Sequence, residues 1–113
     1  MTISFSKFMP PTVLTTTAAT LFTAPALPLT TLLRGGRLRF TNTTGVAVTV
    51  TAYAVPLAGT ASVGNTFVSA KTIAANDYLD VDIPIIAAGD FIQALAGTAT
   101  SVTATVISGS YFS

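Results

Sequence analysis

Through much of this chain apolar and polar residues alternate one by one, the two-residue period of a β-strand with one buried face. After Gly35-Gly36 the run Arg37-Leu38-Arg39-Phe40 puts Leu38 and Phe40 on one side and both arginines on the other. Val48, Val50 and Ala52 alternate with Thr49, Thr51 and Tyr53, while Leu79, Val81 and Ile83 alternate with Asp80 and Asp82. Nowhere do apolar residues recur at the 3.6-residue spacing of an amphipathic helix.

These runs predict about eight short strands: 12–16, 20–23, 29–41, 46–55, 67–73, 78–83, 91–96 and 102–111. Gly35-Gly36 predicts a bulge in the third. Val46 to Val55 is the strongest of the set, with Val46 sharing its apolar face. The turn signal Asn42-Thr43-Thr44-Gly45 predicts that strands 29–41 and 46–55 form a hairpin. Pro10 and Pro11 disfavour both a helix and a central strand. Residues 1–11 are therefore expected as an extended arm, followed by one domain over 12–113. The fold class expected is all-β: an antiparallel β-sandwich of jelly-roll or immunoglobulin-like topology.

Composition narrows the chemistry. The chain has 113 residues and no cysteine, histidine, tryptophan or glutamate. Disulfides, thiolate metal sites and Ser-His-Asp or Cys-His catalysis are excluded by residue type. Only 8% of residues are charged, for a net charge of +1, so long-range steering toward nucleic acid or an anionic membrane is weak. No apolar run reaches the length of a spanning helix. Lys7 is followed by Phe8-Met9-Pro10-Pro11 and not by the apolar core of a secretory signal, so no cleaved leader is expected. Threonine, 21 residues in all, supplies wettable strand faces without charge. A chain so poor in charge is expected to meet neighbours over much of its surface.

Few residues remain as candidates. Asp80 and Asp82 share a strand face at a spacing of about 7 Å, which two glycosidase carboxylates could use. The simpler reading is that they wet an edge strand and oppose edge pairing. With Asp77 and Asp90 they could offer oxygen ligands to Ca²⁺, but no calcium-loop pattern is present. No catalytic residue, metal or cofactor is therefore assigned. Arg34, Arg37 and Arg39 lie in one strand region. Their carboxylate partners are expected to be Asp80 and Asp82 or an acid on a neighbouring subunit. Ile3, Phe5, Phe8 and Met9 of the arm, with Tyr111 and Phe112, complete the expected interface set.

Four segments then carry a resemblance: TTTAATLFTAP, LLRGGRLRFTNTTGVAVTVTAYAVP, SAKTIAANDYLDVDIP and AAGDFIQALAGTATSVTATVISG. Their order resembles that of small β-sandwich virion proteins of tailed bacteriophages. The matching positions are Phe22 to Pro25, Asn42 to Gly45, Ile73 to Asn76, Ala88 to Ala94 and Ser101 to Gly109, within about 15–109 overall. The arm lies outside the match. The resemblance implies a capsid decoration (cement) protein, often a trimer, on the capsid exterior and made in the host cytoplasm. Its partners would be the major capsid protein and copies of itself, with no nucleic acid and no membrane. Placement at the neck, tail or baseplate is the alternative. A host-glycan adhesin is another, and would need Tyr53, Tyr78 and Tyr111 to converge. An enzyme is the weakest reading.

Overall fold

The computed structural model describes residues 5–6, 11–23, 32–84 and 89–112. Nine strands form two antiparallel sheets among these residues: β1 (Phe5–Ser6), β2 (Thr12–Val13), β3 (Ala19–Thr23), β4 (Leu32–Asn42), β5 (Val48–Val55), β6 (Thr66–Ile73), β7 (Tyr78–Asp82), β8 (Phe91–Ala96) and β9 (Val102–Phe112). One sheet runs β1-β9-β4-β7, with β2 also on β9, and the other runs β3-β8-β5-β6.

β1 and β2 both pair with β9, Phe5 opposite Phe112 and Thr12 opposite Ala104. Both lie along the same edge of β9 and count as two segments of one edge strand. Counted that way, the first, eighth, third and sixth strands form one sheet and the second, seventh, fourth and fifth the other. This is the order of a jelly roll, and not the ABED/CFG grouping of an immunoglobulin domain. At Phe5–Ser6 the N-terminal segment is extended, as expected, and pairs with β9 of its own domain.

The expected hairpin across residues 42–45 is not formed. β4 pairs with β7 and β9, while β5 pairs with β6 and β8. The turn carries the chain from one sheet to the other because each strand has an apolar face to bury. Leu38 and Phe40 enter the core from β4, and Val48, Val50 and Ala52 enter it from β5. Among the described residues, only β5 and β6 are sequential strands that pair with each other. β5 starts at Val48, so Val46 lies in the turn and is exposed. The Gly35-Gly36 bulge is present: β4 advances from Arg34 to Arg37 while β9 advances from Ser110 to Ser108.

Asn42 anchors this crossing. It is fully buried. Its Nδ2 donates to the carbonyls of Val46 (2.7 Å), Ile73 (3.1 Å) and Ala74 (3.1 Å). Its Oδ1 accepts from the Thr44 N–H (3.0 Å) and hydroxyl (2.7 Å). One side chain thus ties the β4–β5 turn to the β6–β7 turn.

Candidate functional site

The parity of β4 and β7 decides what the outer face of the first sheet carries. Leu38 and Phe40 of β4 are buried, and Leu79 and Val81 of β7 pack against the same core. Arg37, Arg39, Tyr78, Asp80 and Asp82 therefore project outward. The register sets Arg37 opposite Asp82, Arg39 opposite Asp80 and Thr41 opposite Tyr78. Arg39 Nε donates to Asp80 Oδ1 at 2.8 Å and Nη2 donates to Oδ2 at 3.0 Å, a bidentate fork. Arg37 Nε donates to Asp82 Oδ1 at 3.0 Å. The Arg39 guanidinium also lies over the Tyr78 ring, 4.1 Å from its centroid. Thr103, Thr105, Val13 and the exposed Ile107 continue the face across β9 and β2.

Arg37 and Arg39 thus find their acids within the chain, the first of the two expected arrangements, while the Arg34 side chain lies outside what is described. The Arg37–Asp82 pair is solvent-exposed and adds little stability. The Arg39–Asp80 pair is partly shielded. The hydrogen bond from Arg39 holds the Asp80 carboxyl below the ordinary carboxylate range, and the same bond raises Arg39. An acid held ionised in this way is poorly suited to donate the proton that glycoside cleavage needs.

The lowered Asp80 fixes a sign. A carboxyl depressed in the folded state binds fewer protons there than in the unfolded chain. Its contribution is present above the unfolded-state value and disappears as pH falls through the folded one. Asp80→Asn should therefore destabilise the domain at neutral pH. Thermal melts of both proteins should converge as the pH is lowered from about 5 toward 2.

The remaining interface candidates fall into two groups. In the first sheet β9 lies between β1 and β4, so Phe112 has Phe5 on one side and Leu32 on the other. Tyr111 lies between Ser6 and Leu33, and Arg34 pairs with Ser110. Phe5, Arg34, Tyr111 and Phe112 therefore gather at one end of this sheet, separated along β4 and β9 from the Arg–Asp ladder. Ile3, Phe8 and Met9 lie outside the described residues.

Among the described residues no group of three or more His, Cys, Asp or Glu could hold a metal, and no helix is long and apolar enough to cross a membrane. Tyr53 and Tyr78 sit in different sheets and do not share a platform. The loop between β5 and β6 presents Val63, 94% exposed. That loop is internally braced: Ser62 N–H donates to Asn65 Oδ1 (3.0 Å), and Asn65 Nδ2 donates to the Thr60 carbonyl (2.9 Å). Leu57 N–H donates to Asp90 Oδ1 (2.9 Å), and the Leu57 side chain lies where a Cβ on Gly89 would come within 2.9 Å of it; the φ of +87° at Gly89 independently favours glycine. Strand parity exposes the Arg–Asp ladder to sequence reasoning; the Val63 tip carries no such signal.

Comparison with family models, curated proteins and solved structures found no match.

Proposed function

We propose that this chain is a structural protein of a bacteriophage virion, a decoration protein that binds the outer capsid surface and braces contacts between major capsid subunits. The observation that carries the reading is the outer face of the first sheet. Its two arginines and two aspartates neutralise one another within the face, and threonines flank them on β4 and β9. A stiff sheet face with no net charge can be covered by a protein neighbour without stranding an unpaired ion. The jelly-roll topology supports the same reading, since viral capsid domains use this architecture. The order of turn and strand motifs supports it too. Many copies on a repeating shell would add modest individual contacts into durable attachment.

Copy number tests this. Quantitative mass spectrometry of purified particles should find the chain at hundreds of copies per virion. A dozen copies or fewer would move it to the neck, tail or baseplate. Its absence from particles would overturn the proposal.

A further inference from the structure

The strand that closes the first sheet, β7, has an unusual edge. Asn42 N–H donates to the Asp77 carbonyl (2.9 Å), and Ile83 N–H donates to the Gly36 carbonyl (2.9 Å). Hydrogen-bonded positions recur at every second residue of an antiparallel pair, so Leu79 and Val81 direct their backbone groups at β4. Asp80 and Asp82 direct theirs the other way, along the open edge. The Tyr78 N–H is taken by the Asp77 carboxylate at 2.8 Å.

Charged side chains normally guard such an edge against pairing. Here that guard is disarmed, because Asp80 and Asp82 are bound by Arg39 and Arg37 of the neighbouring strand. On the core side, Leu79, Val81 and Ile83 are only partly buried, as is Phe67 on β6, the last strand of the other sheet. The apolar interior is incompletely covered along this flank.

We infer that β7 pairs with β7 of a second copy of this chain, antiparallel across a two-fold axis at Asp80. The sequence of the strand is self-complementary in that register. Leu79 meets Val81 of the other copy on the inner face, covering the open flank of both cores. Tyr78 meets Asp82 on the outer face, phenol donor to carboxylate acceptor. The two Asp80 residues face each other, each compensated by its own Arg39, so the joined face has four arginines, four aspartates and no net charge. The N–H and carbonyl of Asp80 and the N–H of Asp82 gain partners, the last from the Tyr78 carbonyl of the other copy, and the two sheets become one. An isologous edge contact of this kind closes as a dimer, not as the trimer that the virion-protein resemblance implies. It also stands independently of where in a virion the protein sits.

Sedimentation equilibrium of the full chain from micromolar to millimolar concentration reads the stoichiometry, and hydrogen exchange reads the edge. The expected result is a monomer–dimer equilibrium, with the Asp80 and Asp82 amides protected only in the dimer. Asp82→Pro removes an outward N–H that an edge strand can spare. Arg39→Ser leaves the facing Asp80 carboxylates uncompensated. Each should raise the dissociation constant at least about tenfold, the equivalent of one or two lost hydrogen bonds, while circular dichroism still shows a folded domain. A monomer at every concentration overturns the inference. So does a trimer, a dimer whose Asp80 and Asp82 amides exchange freely, or a folded Asp82→Pro variant that dimerises like the parent. If Asp82→Pro fails to fold, the exchange pattern of the unmodified chain decides alone.

Discussion

Asn42→Asp should be the most damaging single-atom exchange in this protein, costing about 4 kcal/mol or more. The amide nitrogen it removes is the donor to three carbonyls at 2.7–3.1 Å. A carboxylate there has no proton to give and sets negative charge against three carbonyl oxygens in a site with no solvent exposure. Asn42→Ala, which lacks the charge, should cost less, about 3 kcal/mol, from lost hydrogen bonds and unmet buried groups. The order of the two is the sharp part, because asparagine and aspartate have almost the same shape. A packing role would make alanine the worse replacement. Urea unfolding at neutral pH measures both. For Asn42→Asp the deficit should shrink as the pH falls, since an unpaired buried carboxyl titrates above its unfolded-state value and the folded form then gains protons.

Phe40→Ala should lower stability by about 4 kcal/mol, or roughly 15 °C in melting temperature for a domain of this size. Phe40 is fully buried in mid-β4, opposite Ala104 of β9 and Leu79 of β7. Ala52, Ala94, Ala96 and Ala104 belong to the same core. Such small neighbours cannot extend to fill the void, so most of the cavity would persist. Phe40→Leu, closer in volume, should cost about 1–1.5 kcal/mol. Calorimetry of the pair separates lost volume from lost aromatic character.

How these strands were legible follows from the same residues. β4, β5 and β7 each keep a two-residue alternation, and punctuation by Gly, Pro, Asn and Asp brackets them and β8, so their extents lie close to those the pattern predicts. Which strands lie side by side was not legible. The 42–45 turn looks like a hairpin turn because turn residues report a reversal and not the sheet each arm joins. The deciding information is the matching of Leu38 and Phe40 with Val48, Val50 and Ala52 across the core, a long-range property. Asn42 was half visible. Counting on from Leu38 and Phe40 puts it on the core face, but its role depends on the carbonyls of Ile73 and Ala74, some thirty residues away. The Arg–Asp ladder was readable as composition and parity. Its pairing became definite only once β4 and β7 were adjacent.

The pairing of Phe5 with Phe112 has a consequence for how the molecule assembles. Among the described residues β5 and β6 form the one ladder between strands consecutive in sequence. All other ladders close large loops, and the β1–β9 ladder closes the largest. Loop closure costs entropy before its contacts repay it. The chain should therefore fold slowly for its size, with the β1–β9 seam the last to zip. Until it does, the flank of β9 is an exposed edge on every newly made copy.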